Sequence, residues 1–232
     1  MPRRNPLEWV DGQGWVVLSG GGAWQYGETD LVDTQVLSIA NLDRPMLVML
    51  DEGKRAEAEG ILEHYINLGG SGGECVLLSQ LKPQHYQAPK LHEFLGEVGL
   101  LYLGGNSPLA LARALHNTPL IEQIVKGYAT LQGLIVMGVG AGAAALGAWV
   151  GDPQQPEQDA PGLNFVRSAI IAPHFTDTES AVDLRARLQR HPGFVGLGIP
   201  RGTALALGPQ GQVETWGYAQ ITAVVTGAAE NV

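Results

Sequence analysis

Five short apolar runs organise the first 140 residues: Trp15 to Leu18, Met46 to Leu50, Cys75 to Leu78, Gly99 to Leu103 and Gly133 to Met137. None shows the apolar–polar alternation of a half-wet strand, so each must be covered on both faces. Between them lie segments of helical period. Thr29 to Ile39 is one, and Glu52 to Leu68 is another, with Ala58, Ile61, Leu62, Tyr65 and Ile66 on one face. Leu91 to Leu95 is a third, and Pro108 and Pro119 open two more, ending near His116 and Lys126. Strand alternating with helix predicts an α/β fold: three layers, a mostly parallel sheet with helices on both faces. Apolar content of 45% against 16% charged residues supports a large core, and we expect 1–232 to form one domain.

The second half is less regular. Gly151 to Gly162, rich in Pro, Gln and Asp, reads as a loop. Phe165 to Ala172 reads as a strand running into Pro173-His174-Phe175-Thr176, and Ser180 to Gln189 as a helix. Phe194 to Ile199, Thr203 to Leu207 and Val213 to Trp216 are expected to be antiparallel strands near the C-terminus.

Several function classes are disfavoured. A net charge of −9 argues against nucleic acid and against an anionic membrane surface, both of which need basic patches. Pro2-Arg3-Arg4 is not followed by the apolar stretch of a signal peptide, and no apolar run reaches the roughly 18 residues of a membrane span. The lone Cys75 reads as a small core hydrophobe and fits a reducing, cytoplasmic setting. The histidines show no metal-ligand spacing, so neither a metal nor another cofactor is expected.

The segment from Leu134 to Ala145 carries the chemistry. It reads as a buried strand, a sharp turn and a helix of small residues, the build of a nucleophile elbow. Gly138, Ala141 and Gly142 are small enough for strand and helix to approach closely. The nucleophile position holds Gly140, which has nothing to attack with. Gly20-Gly21-Gly22 and Gly104-Gly105-Asn106 also follow strands, and such loops converge on one sheet edge. Glycine there lets backbone N–H groups face a ligand. Neither loop has the Lys-Ser or Lys-Thr of a phosphate-binding loop. His174 sits just past a strand with acids upstream, the ingredients of a base and its orienting acid.

Together these pieces resemble the dipeptidase E and cyanophycinase family of serine peptidases, whose fold is like that of the class I glutamine amidotransferases (flavodoxin-like). The resemblance covers nearly the whole chain. The family elbow, Gly-x-Ser-Ala-Gly-Ala, is Gly138-Val139-Gly140-Ala141-Gly142-Ala143 here. Pro-His-Phe-Thr is intact at 173–176, and Gly-Leu-Pro-Glu-Gly is similar to Gly198-Ile199-Pro200-Arg201-Gly202. The resemblance implies His174 as base and Asp152 as its orienting acid, with Glu157 and Asp159 as alternatives. It implies an oxyanion hole from backbone N–H groups of Gly105 or its neighbours and of Ala141. Gly21, Gly22, Asn106 and Arg201 complete the expected binding residues. The chain departs from the family at Gly140, where the family has Ser, and at Arg201, where it has an acid.

The resulting expectation is a pseudo-peptidase that retains a pocket for a small acidic molecule or peptide, as a monomer or homodimer. Two alternatives stay open. One is an active aspartyl-peptide-cleaving serine peptidase in which Gly140 is an engineered replacement of Ser. The other is a nucleophile-free hydrolase in which His174 activates water.

Overall fold

The computed structural model describes residues 7–130, 133–152, 155–176 and 178–225, with the backbone alone at 152, 155–158 and 178–179. The five apolar runs form β1 (Trp15–Ser19), β2 (Met46–Leu50), β3 (Gly73–Leu77), β4 (Leu100–Gly104) and β5 (Ile135–Val139). They pair in parallel in the order β1-β5-β4-β2-β3.

Successive side chains of a strand point to opposite faces. Val16 and Leu18 of β1 therefore join one core, with Met49, Leu103 and Val136, while Val17 joins a second, with Val48, Leu50 and Met137. The first core is closed by α3 (Pro89–Glu97), α4 (Pro108–Leu115), α5 (Pro119–Thr130) and α6 (Ala141–Leu146), which contribute Leu95, Leu111, Leu120 and Ala143. The second is closed by α1 (Asp30–Ile39) and α2 (Arg55–Asn67), through Val36 and Tyr65 among others. Burial on both faces is what removed the alternation from β1, β2, β4 and β5; β3, at the sheet edge, is only partly buried. Helix α2 starts three residues later than its periodicity suggested, because Asp51 to Gly53 form a turn in which Asp51 bonds the Glu52 N–H.

The second half required three corrections. First, the expected loop is an antiparallel hairpin, β6 (Trp149–Asp152) and β7 (Gln155–Pro161). Second, β8 (Ala169–Pro173) pairs in parallel with β9 (Val195–Ile199), so 194–199 is not part of an antiparallel run with the strands after it. Third, β12 (Thr222–Val225), absent from the sequence reading, pairs antiparallel with β9. The expected antiparallel pairing holds for β10 (Thr203–Leu207) and β11 (Val213–Gly217), which extend the main sheet beside β1. Helix α7 (Thr178–Arg190) packs on β8 and β9 through Leu184 and Leu188.

Candidate active site

The loops after β1, β4, β5, β8 and β9 meet at one edge of the fold. Gly138 and Gly142 make the elbow possible. A Cβ on Gly138 would lie 2.6 Å from the Gly142 backbone, and one on Gly142 would overlap the Leu103 carbonyl oxygen. Between them Gly140 adopts φ 54°, ψ −114°, a conformation that costs a side-chain-bearing residue about 1–3 kcal/mol. Its N–H bonds the Ser19 carbonyl at 3.0 Å, and its carbonyl accepts the Ala144 N–H at 3.2 Å. The turn is thus fastened to β1 on one side and to α6 on the other.

His174 stands opposite. Its N–H bonds the Gly20 carbonyl at 3.2 Å, and the next residue, Phe175, bonds the Ile199 carbonyl at 3.1 Å and buries its ring. His174 itself has φ 53°, a left-handed conformation that few side chains adopt. The result aims the ring at the elbow. A Cβ on Gly140 would lie 3.1 Å from His174 Nε2, and one on Gly21 would lie 2.7 Å from Cε1. The elbow and the histidine, 34 residues apart, are therefore brought into reach of each other.

The orienting acid is another matter. The side chains of Asp152 and Glu157 lie outside the described residues. The Asp159 carboxylate accepts from Arg187 Nε at 3.1 Å and from Arg190 Nη2 at 3.0 Å, and it bonds His191 Nε2 at 2.8 Å. That cluster ties β7 to the end of α7, and Arg187 adds a bond to the Trp149 carbonyl while Trp149 stacks on His191 with centroids 4.2 Å apart. These ion pairs hold the β7 end of the hairpin against α7. Burial pushes the Asp159 carboxyl up, but Arg187, His191 and Arg190 outweigh it and hold it below the usual carboxylate range.

The charges that do reach His174 are unexpected. Burial, and after it the Arg201 guanidinium, push the imidazole down from its ordinary value, while Glu28 opposes them. Arg201 follows β9 and is exposed, and the Gly202 N–H beside it bonds the Gly21 carbonyl at 2.8 Å. Among the described residues the ring thus feels a cation, Arg201, more strongly than the anion Glu28.

Gly105, Asn106, Ala141 and His174 line a cleft of about 640 Å³, together with Arg187, Arg190, Asp159 and Asp183. The Ala141 N–H opens α6 and has no acceptor within the helix. Gly21 and Gly22 do not line the cleft; they sit behind the His174 ring and above Thr29. Arg201 is outside the lining as well. Two groups escaped the sequence reading. One is the arginine pair on α7, whose spacing resembles any wet helix face. The other is Asp51, a single acid after β2. Among the described residues no group of three or more His, Cys, Asp or Glu could hold a metal ion, and no helix is long and apolar enough to cross a membrane.

A family model for peptidase family S51 matches residues 18–212. A cyanophycinase from Synechococcus elongatus is 23% identical over 225 residues, which is 91% of this chain and 68% of that protein. One from Geminocystis herdmanii is 26% identical over 140 residues, 57% of this chain and 51% of that protein, so the chain matches about half of its length. Among solved structures, a peptidase from an acI-B1 Actinobacterium aligns with a TM-score of 0.66 and 20% identity, covering 94% of this chain and 97% of that one. A putative peptidase E protein from Listeria monocytogenes aligns with a TM-score of 0.62 and 14% identity, covering 90% and 100%. These structural likenesses bear on the fold: a mostly parallel sheet between helix layers, with added antiparallel strands.

Proposed function

The chain belongs to peptidase family S51, and we propose that it is a catalytically impaired member whose cleft still takes small carboxylate-bearing ligands or short acidic peptides. The observation that carries this reading is Gly140. It occupies the turn where a nucleophile would project, with His174 Nε2 3.1 Å from the position of the missing Cβ. A base aimed at a hydroxyl has no acyl-enzyme to make when the hydroxyl is gone. Loss of the serine from such a triad leaves only about 10³–10⁴-fold over the rate in water, supplied by the oxyanion hole and binding.

The surroundings of His174 support the same reading. Arg201 stands where the family resemblance implies an acid, and it disfavours the imidazolium that a serine-assisted step would form. The ligand class follows from the cleft wall. Arg187 and Arg190 share one acid, Asp159, and the N–H groups of Ala141 and Gly105 add donors without side chains. Exposed Asp183 balances the formal charge of the lining, which suits a ligand bearing both a carboxylate and an amine.

The test is hydrolysis of an aspartyl dipeptide and an aspartyl p-nitroanilide by the parent chain and by Gly140→Ser. The expected result is no enzymatic turnover by the parent and measurable turnover by the variant. Parent turnover near the 1 s⁻¹ of ordinary enzymes, or a covalent acyl adduct on the parent, overturns the reading. Ligand retention is checked on the parent by thermal shift with aspartate and Asp-Gly, since a ligand of the native state raises apparent stability by mass action.

A further inference from the structure

We infer that Asp51 is the positioning residue of the cleft's anion-binding loop: its carboxylate draws the N–H groups of Asn106 and Ser107 inward and so dedicates the Gly105 N–H to the ligand. This rests on the cleft being a ligand site, as proposed above. Asp51 follows β2 and is 4% exposed. Its Oδ1 accepts the Asn106 N–H at 3.0 Å and the Glu52 N–H at 2.7 Å, and its Oδ2 accepts the Ser107 N–H at 2.8 Å. Its backbone is fixed too: its N–H bonds the Gly104 carbonyl at 3.2 Å, and its carbonyl accepts the Ser79 N–H at 2.9 Å. A buried carboxylate is stable only when its lone pairs are met, and three N–H donors meet them here.

Three consecutive amides follow β4, and the carboxylate takes two of them. The remaining one, on Gly105, has no hydrogen-bond partner among the described residues, and Gly105 lines the cleft. The same carboxylate explains the glycine. Gly105 has φ 128°, and a Cβ there would overlap Asp51 Oδ1. The far end of the loop is held by Ser107, whose Oγ accepts the Ala110 N–H at 3.1 Å and caps α4. The loop is therefore clamped from below and from its far end, and it presents one free donor. A preorganised donor of this kind is worth far more than a mobile one, because nothing reorganises when the ligand's negative charge arrives.

The test has two arms. The first measures amide hydrogen exchange by NMR on the full chain. Asn106 and Ser107 are expected to be protected at least tenfold more than Gly105. In Asp51→Asn their protection is expected to fall at least tenfold and the Gly105 resonance to move, while the amides inside β2 and β4 hold. A Gly105 amide as protected as its neighbours overturns the inference from the parent alone, whether or not the variant folds. Unchanged protection of Asn106 and Ser107 in Asp51→Asn overturns it as well. The second arm adds Asp51→Asn to Gly140→Ser. It is expected to lower kcat by about 10²–10³ with little change in KM, as removal of one oxyanion donor does. An unchanged kcat rejects the inference. An inactive Gly140→Ser counts against the proposed function instead and leaves the exchange arm to decide on Asp51.

Discussion

Two histidines flank the Gly20–Gly22 loop, and the chain treats them in opposite ways. His64, on α2, bonds Asp33 Oδ2 at 2.9 Å, and Asp33 also receives Thr29 Oγ1 at 2.7 Å and the Tyr65 hydroxyl at 2.6 Å. Trp24 packs over the His64 ring at 5.6 Å, and Asp30 stands 3.9 Å away. His174, on the other side of the loop, faces the elbow with an arginine as its strongest neighbouring charge. The hydrogen bond to Asp33 raises His64, against burial, while burial and Arg201 lower His174. The difference separates structure from chemistry. The well-made Asp–His pair lies in a packed layer where it holds α1 to α2, and the histidine aimed into the cleft faces a glycine, with Arg201 and Glu28 as the charges that act on it among the described residues.

The strongest way to break this contrast is to give His174 something to activate. Gly140→Ser is expected to raise aspartyl p-nitroanilide hydrolysis at least about 10³-fold over the parent, which is about 4 kcal/mol of barrier. The same change is expected to cost about 1–3 kcal/mol of folding stability, because serine must adopt the φ 54°, ψ −114° of Gly140. Urea denaturation beside the rate assay reads both. A variant that gained rate at no cost in stability would mean that the elbow relaxes around the new side chain.

The next largest effect lies on the other side of the loop. Asp33→Ala removes the acceptor of three side chains in a layer where Asp33 is 3% exposed. The expected loss is about 3 kcal/mol by urea denaturation. Ligand-induced thermal shifts in the cleft, corrected for the lower baseline, should stay the same. A cleft that loses its ligand response in Asp33→Ala would show that the two histidine environments are coupled through the loop between them.

How far the chain could be read from its residues follows the same division. Four of the five parallel strands were legible because two-sided burial leaves an unmistakable apolar run, as in Met46 to Leu50; β3, at the sheet edge, is only partly buried, with Glu74 exposed. The elbow was legible because close packing admits only Gly at 138 and 142. Contacts set by distant partners were not. Nothing in Gly151 to Gly162 announces a hairpin, since Asp159 acquires its role only when α7 delivers Arg187 and Arg190. Asp51 looks like any acid after a strand until Asn106 and Ser107 arrive beneath their own loop. Asp33 and His64 are 31 residues apart and carry no motif. The Pro200–Gly202 turn hid the fact that β9 leaves the strands after it and pairs with β8 instead.

Arg201→Glu sharpens the contrast more gently. It replaces the second cause of the depressed His174 by a charge of opposite sign, so the imidazole should titrate at higher pH than in the parent, as followed by its Hε1 proton resonance. His64 should not move. If His174 does not respond, burial alone sets it, and Arg201 belongs to the solvent.

The smallest effect is the most diagnostic, because its sign differs between the two sites. His64 is raised in the fold, so its contribution to stability is fully present below its unfolded value near 6.5 and is lost as pH rises through the folded value. His174 is lowered, so the fold is favoured above 6.5 and loses that advantage as pH falls through the folded value. The stability difference between parent and His64→Gln should therefore shrink from pH 5.5 to pH 8. The difference between parent and His174→Gln should run the other way, with the variant gaining on the parent in acid. Equal slopes in the two series would mean that Asp33 does not distinguish one histidine from the other.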